Sequence, residues 1–189
     1  MQAADHPAEA STDRAAPQLL NAAFRDLHGG RLHAFALLLT LGDRGRAAQL
    51  ASEAIAAGSD HLPELRHPER AAAWLRGRVL RAAGSDDRRL GVAERLASLS
   101  DLHVGPAALA GLSALTRAER AGLIATAIER LDRRDVAVII GRDGDRLETL
   151  LRRARRRYID GATATPDEFD GPPGPIGRRI AESAARTMA

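Results

Sequence analysis

The chain of 189 residues has no cysteine, no lysine and few aromatic residues, and it lacks any long apolar run. Without cysteine, disulfides, thiolate metal sites and thiol nucleophiles are excluded. The longest apolar run, residues 34–39, is far shorter than the ~20 residues that a membrane helix needs, and no apolar signal core opens the chain. We therefore expect a cytoplasmic protein with no membrane insertion.

The scarcity of aromatic residues, 3% of the chain, goes with the absence of alternating β-branched runs. Both features favour an all-α fold. All 28 basic residues are arginine, and they are unevenly spread. The segment 146–157 contains Glu148 as its one acidic residue, beside Arg146, Arg152, Arg153, Arg155, Arg156 and Arg157. A local cationic patch of this kind suits a polyanion.

Apolar periodicity and glycine or proline breaks predict two small helical domains joined by a linker. The predicted segments are a disordered lead at 1–18, a four-helix domain at 19–83, a linker at 84–105, a second helical domain at 106–160, and a flexible tail with a short amphipathic helix at 161–189. One apolar stripe is formed by Leu20, Phe24 and Leu27 at helical spacing, and the Gly29-Gly30 pair predicts a break before the next helix. Pro68 suits the first residue of the fourth helix.

Residues 115–158 predict three short helices, each with its own start signal. The signals are a capping box of Thr116 and Glu119, a cap at Asp132, and a cap at Asp143 or Asp145, the latter with Glu148 as box partner. Gly141 supplies the residue that tolerates the left-handed turn ending the second helix.

The third of these helices has an apolar face and a cationic face. The apolar face carries Leu147, Leu150, Leu151, Ala154 and Tyr158, and the opposite face carries Thr149, Arg152, Arg153 and Arg156. Two helices joined by a tight glycine turn, the second with an arginine-rich outer face, match a helix-turn-helix that enters the major groove. The alternative is a solvated arginine face on an ordinary three-helix bundle.

Three groups of residues carry a resemblance to a known family. They are Leu41-Gly42-Asp43-Arg44 followed by Ala47, Leu50 and Glu53; Ala73-Trp74-Leu75; and Leu115-Thr116-Arg117-Ala118-Glu119-Arg120 with the segments 135–141 and 151–155 in register behind it. On these motifs, about residues 20–160 resemble the extracytoplasmic-function (ECF) class of bacterial sigma factors.

The resemblance implies a transcription initiation factor whose partners are core RNA polymerase and double-stranded promoter DNA, with an anti-sigma factor or another regulator as a further partner. The residues it assigns to the −35 duplex are Arg146, Thr149, Arg152, Arg153 and Arg156. It assigns His61, Arg66, His67, Trp74 and Arg78 to the −10 region, and Gln49 and Glu53 to polymerase docking. It implies no cofactor, no metal and no catalytic residue in this chain.

Other site chemistries have weaker support. The histidine pairs, His28 with His33 and His61 with His67, are not spaced as a helical ligand pair four apart. No serine lies in a nucleophile elbow, so we expect no enzyme. Trp74 suits a core position and a base-stacking position equally.

Two hypotheses therefore remain. The first is a promoter-specific initiation factor. The second is a sigma-like DNA-binding or protein-interaction regulator that has lost promoter opening. The helix-turn-helix pattern favours the first. Ala48, Gln49 and Ser52, in place of the family's usual acidic pair and glutamine, favour the second.

Overall fold

The computed structural model describes residues 9–65, 67–84, 90–164, 177–180 and 182, with backbone alone for 9–17. These residues form an all-helical fold without strands, as the sequence predicts. The helices are α1 (Glu9–Leu39), α2 (Arg44–Asp60), α3 (Pro68–Ala82), α4 (Val92–Leu99), α5 (Pro106–Ser113), α6 (Arg117–Leu123), α7 (Arg133–Ile140) and α8 (Gly144–Thr163). A 3-10 turn, Ser100–Leu102, follows α4, and a π turn, Ile124–Ile128, continues α6. Within the described ranges, no helix is long and apolar enough to span a bilayer.

Helix α1 corrects two predictions. Residues 9–18 are helical, so the disordered lead is wrong for this part, and residues 1–8 lie outside the described residues. Ala10, Arg14, Ala15 and Ala16 favour a helix that is already nucleated, and Pro17 removes one backbone donor from it without ending it. The predicted break at Gly29-Gly30 is also wrong, because the cost of about 1 kcal/mol per glycine is offset by burial of Leu32 and Phe35 just beyond it.

The apolar stripe predicted near the start of α1 is only partly buried. Phe24 is 6% exposed, whereas Leu20 and Leu27 are 62% and 59% exposed. Phe24 packs closely against Gly58 of α2. The helix therefore joins the body of the protein from about Phe24 onward.

The range predicted to hold four helices, 19–83, holds three, because the first two predicted helices are one continuous helix, α1. Helices α1, α2 and α3 pack against one another. Asp43 caps α2 by accepting a hydrogen bond from the Arg46 amide at 2.9 Å. Pro68 is the first residue of α3, as predicted. Helix α4 lies in the predicted linker and contacts the start of α2, since the Arg44 guanidinium donates to the Ala97 carbonyl at 3.3 Å.

In the C-terminal half, two of the three predicted start signals are confirmed. Thr116 and Glu119 form the capping box at α6, and Asp132 accepts a hydrogen bond from the Asp135 amide at 2.8 Å. Gly141 ends α7 with a φ of 68°, as predicted. At α8 the cap residue is Asp143, but its side chain makes no cap hydrogen bond.

The capping box predicted for Asp145 and Glu148 is wrong. Glu148 forms an ion pair with Arg133 of α7 instead, with a separation of 2.7 Å. A charged partner across the turn competes successfully with the backbone amide, because a carboxylate bonds a guanidinium with two parallel hydrogen bonds.

Helix α8 crosses α5 at very short range. A Cβ atom placed at Gly111 would lie 2.6 Å from the Tyr158 ring, and one at Gly161 would lie 2.8 Å from the Ala114 Cβ atom. Tyr158 is 3% exposed, and burial raises its pKa to about 12. The two glycines therefore let α8 lie directly on α5, which fixes the direction of its opposite face.

The buried residues of both predicted domains belong to one continuous cluster. Helix α7 packs mainly against α3, so the two halves are in direct contact. The division into two domains, and the assignment of α7 and α8 to a helix-turn-helix, stay predictions. Of the segment 161–189, in which a short amphipathic helix is predicted, residues 177–180 are helical and Ile180 is fully buried, whereas residues 165–176 and 183–189 lie outside the described residues.

Candidate nucleic-acid interface

The outer face of α8 is cationic and open to solvent. All five residues of the predicted apolar face are buried, and this burial turns the opposite side of the helix outward. Arg146, Thr149, Arg152 and Arg156 are exposed, as predicted. Among the described residues, the three arginines of this set have no ion-pair partner. They are therefore available to a polyanion.

Arg153, also predicted for this face, has a partner. Its Nε atom lies 3.2 Å from a carboxylate oxygen of Glu119, yet 68% of its side chain is exposed. Arg157 contacts the other oxygen of the same carboxylate at 3.0 Å. Because Glu119 also caps α6, this one carboxylate joins the start of α6 to α8 and sets the orientation of the cationic face.

Arg155 does not belong to the cationic face. It is half-buried, and burial lowers the pKa of its guanidinium, with the nearby Arg133 lowering it further. The Arg133 guanidinium is itself held by Glu148. The cationic face is therefore narrower than the arginine run in the sequence indicates.

An open groove of about 530 Å³ lies between the start of α6 and the outer face of α8. Its lining includes Thr116, Arg142, Arg146, Thr149 and Arg153. Arg142 was missed by the sequence prediction, although its position directly after the helix-ending Gly141 places it at the start of the next helix. Glu119 and Asp145 also line the groove, so its three arginines face two carboxylates and its net charge is only weakly positive.

A second polar surface lies on α3 around Trp74, which is partly buried and packs against the core. The Arg78 guanidinium carbon lies 5.5 Å from the Trp74 ring centre, and the His61 ring lies 5.6 Å from it, tilted by 59°. The structure therefore brings together three of the five residues predicted for the −10 region. His61 also lies 3.4 Å from Glu64.

The other two residues predicted for the −10 region are His67 and Arg66. His67 is exposed at the start of α3 and makes no cap hydrogen bond, and Arg66 lies outside the described residues. Arg70 is exposed and was missed. Its position four residues before Trp74 places it on the same helix face, which is the signal that could have found it.

Gln49 and Glu53, predicted for polymerase docking, are both exposed on α2. The Gln49 amide donates to Glu53 at 2.9 Å and accepts from Arg46 at 3.0 Å. The Arg46 guanidinium also donates to the Ala82 carbonyl of α3 at 2.7 Å. These side chains therefore form a short polar ridge along α2, and polymerase docking by this ridge stays a prediction.

The chemistry that these surfaces offer is binding by charge and by stacking. Over the described ranges, no group of three histidine or acidic side chains is placed to hold a metal ion. Comparison with known proteins finds no matching family model, no similar curated protein and no similar solved structure.

Proposed function

We propose that this protein is a promoter-specific transcription initiation factor of the sigma type, which binds core RNA polymerase and promoter DNA in the cytoplasm. It has no catalytic residue of its own in this proposal, because the chemistry belongs to the polymerase. The observation that carries the proposal is the exposed face of α8, where Arg146, Arg152 and Arg156 lack ion-pair partners among the described residues.

This face has the chemistry that duplex recognition needs. Arginine donates two hydrogen bonds to guanine in the major groove, and threonine reaches a base edge or a phosphate. The left-handed Gly141 and the short turn after it place α8 directly behind α7, as in the proposed helix-turn-helix. Arg142 and Arg153 at the groove beside α8 are suited to the neighbouring phosphates.

The surface around Trp74 supports the second half of the proposal. Single-stranded nucleic acid is held by aromatic rings on which bases stack and by cations along the backbone. Trp74 has a partly exposed ring, and Arg70 and Arg78 are exposed on the same face of α3. This combination fits the melted strand of a −10 element.

The second candidate is a sigma-like regulator that binds DNA or another protein without opening promoters. It is favoured by the polar ridge on α2, where the Gln49 amide already donates a hydrogen bond to the Glu53 carboxylate. A ridge that is already hydrogen-bonded gains less from a new partner. An anti-sigma factor or another regulator would be a partner in either case.

The experiment that separates the two candidates is co-elution of the purified full chain with bacterial core RNA polymerase on a sizing column at moderate salt. Co-elution, followed by selection of a preferred sequence from a pool of random duplexes by the complex, would support the initiation factor. Binding to duplex DNA without co-elution would support the regulator, and the absence of both would reject a sigma-type function.

A further inference from the structure

The first part of α1 has an apolar face that the rest of the described chain leaves uncovered. Leu19, Leu20 and Leu27 are 70%, 62% and 59% exposed. Among the described residues, the other large apolar side chains that are exposed are Val92 and Val138, each on a different helix. A single exposed leucine is ordinary on a protein surface, but three of them on one stretch of one helix indicate an interaction surface.

Four exposed residues of this face are spaced alternately three and four apart along α1, namely Leu20, Ala23, Leu27 and Gly30. We call these four residues the α1 seam. The spacing is that of the a and d positions of a coiled coil, through which one helix packs lengthwise on another. A Cβ atom placed at Gly30 would have no neighbour within 4 Å, so the space in front of the seam is open there.

The α1 seam is separate from the face of α1 that packs into the protein. Phe24, His28 and Leu32 are buried, and at about 100° per residue they lie roughly 120° around the helix from the seam. A second helix could therefore lie on the seam without displacing the core. Further along the same side of α1, Leu37 is buried, so the seam ends near Gly30.

The charges that flank the α1 seam indicate which partner fits it. Asp26 and Arg31 are exposed on α1, and within the part of the chain that the structure describes neither has an ion-pair partner. With Leu20 and Leu27 at a positions, Asp26 is at a g position and Arg31 at the following e position. In a parallel pair of identical helices these two positions of opposite helices are neighbours, and opposite charges there set the partner and its direction. A second copy of this chain therefore supplies the Asp26–Arg31 pair twice.

An antiparallel pair along the same seam lacks this complementarity. Positions g then face positions g, so Asp26 of one copy lies beside either Asp26 or Leu19 of the other, depending on the register. The first arrangement places like charges side by side, and the second takes water from a carboxylate without giving it a partner. The charges therefore favour the parallel direction.

We propose that the α1 seam is the interface of a parallel, two-fold symmetric homodimer. Leu20 and Leu27 of the two copies pack together, and Asp26 of each copy pairs with Arg31 of the other. Such an interface uses the same patch on both copies. Because the seam spans only about two heptads, the dimer is weak. The proposed dimer does not depend on the proposed function, since none of these residues belongs to the proposed DNA or polymerase contacts.

Sedimentation equilibrium of the full chain tests the dimer, over concentrations from about 1 μM to 1 mM, where weak complexes dissociate. In the double variant Leu20→Gln/Leu27→Gln, both replaced side chains are exposed in the single chain and glutamine keeps helix propensity. The dissociation constant of the dimer should rise about a hundredfold, because each copy loses two buried leucines. The matched control is Val92→Gln, which replaces another apolar residue that is 66% exposed and should leave the constant unchanged.

A charge exchange tests the partner and its direction. Asp26→Arg turns both ion pairs into pairs of like charge, so the dissociation constant should rise about tenfold at low salt. The double variant Asp26→Arg/Arg31→Asp restores opposite charges across the interface and the net charge of the wild type. It should recover the wild-type constant to within about twofold. Recovery distinguishes a contact between copies from a general effect of charge.

Single cysteines test the direction independently, since the chain has none of its own. A disulfide needs Cα atoms within about 7 Å. In a parallel pair each seam residue faces its own copy, so Ala23→Cys and Gly30→Cys should both give covalent dimers on mild oxidation. In an antiparallel pair only a residue near the two-fold axis does so, and these two positions are about 10 Å apart along the helix. Ala22→Cys, exposed beside the seam, is the control and should stay monomeric.

Four results would overturn the proposal. They are a wild-type chain that stays monomeric at every concentration, a dimer that the two glutamines do not weaken, a charge exchange that fails to recover the constant, and a covalent dimer from only one of the two seam cysteines. Loss of polymerase or DNA binding would bear on the proposed function and not on this dimer.

Discussion

Arg120 of α6 donates a hydrogen bond to the carbonyl oxygen of Leu39, the last residue of α1, and so joins positions 81 residues apart in the sequence. The same guanidinium donates to the carbonyl oxygens of Leu112 at 2.9 Å and Leu115 at 3.1 Å. A cation at the C-terminal end of a helix is also favoured by the helix dipole. Arg120, part of the motif that resembles sigma factors, is therefore a structural residue here.

We predict that Arg120→Met lowers the free energy of unfolding by about 3 kcal/mol, because it leaves buried carbonyl groups without their charged donor. Urea denaturation followed by circular dichroism measures the change. The control is Arg134→Met on the exposed side of α7, for which the change should stay within about 0.5 kcal/mol. Equal stability of the two variants would contradict the structural role of Arg120.

Arg152→Ala should weaken binding to duplex DNA by about 1 to 3 kcal/mol if the side chain contacts a base. If it contacts a phosphate, the slope of log affinity against log salt should become shallower by about 0.9. A titration of labelled duplex at several salt concentrations separates these cases. The matched control is Arg25→Ala, an exposed arginine on α1, and a similar loss in both variants would point to net charge as the cause.

Trp74 is the chain's single tryptophan, so its fluorescence reports directly on its own surroundings. Stacking of a base on its ring should quench this fluorescence when a single-stranded oligonucleotide is added. Trp74→Ala should cost about 1 to 3 kcal/mol of single-strand affinity, whereas Trp74→Phe retains a ring and should lose less. Unaltered affinity in a folded Trp74→Ala variant would assign the residue to the core alone.

His28 predicts a pH dependence of stability. Its side chain is buried beside Phe24, with the ring centres 4.7 Å apart. Burial lowers the pKa of His28, and the guanidinium groups of Arg76 and Arg31 lower it further. Because the folded state resists protonation, the stability that neutral His28 contributes is present above its unfolded pKa of about 6.5. That contribution is lost as the pH falls below this value.

The comparison that tests this effect uses His28→Leu. Other groups titrate equally in both proteins, so the difference in unfolding free energy between the wild type and the variant isolates His28. We expect this difference to shift against the wild type from pH 7.5 to pH 5.5. A difference that is constant across the range would show that His28 is not held neutral.

Local features of the fold could be predicted from the sequence because their causes are local. The cap at Asp132, the capping box at Thr116 and the left-handed end at Gly141 each depend on residues within one helical turn. The buried and exposed faces of α8 follow in the same way from its periodicity. The predicted break at Gly29-Gly30 failed because tertiary packing beyond it outweighs a weak local preference.

Contacts between distant residues could not be predicted in this way. The ion pair of Arg76 in α3 with Glu129 joins residues that are 53 apart in the sequence, and no spacing rule links them. The ion pair of Glu119 with Arg153 likewise depends on the close crossing of helices, so the sequence alone placed Arg153 with the unpaired arginines. The sequence could not decide between a core role and a surface role for Trp74. In the structure, Trp74 packs against the core and is partly exposed.

The π turn at Ile124–Ile128 has a geometric consequence for Glu129, the residue that follows it. Its hydrogen bond from the Glu129 amide to the Ile124 carbonyl spans five residues at 3.0 Å, where an α-helix spans four. One residue more in this turn rotates Glu129 by roughly 100° about the helix axis relative to a regular α-helix, and the helix ends directly after it, where Arg130 has a φ of 57°. A deletion of one residue here would restore an ordinary helical turn and point the Glu129 carboxylate away from α3.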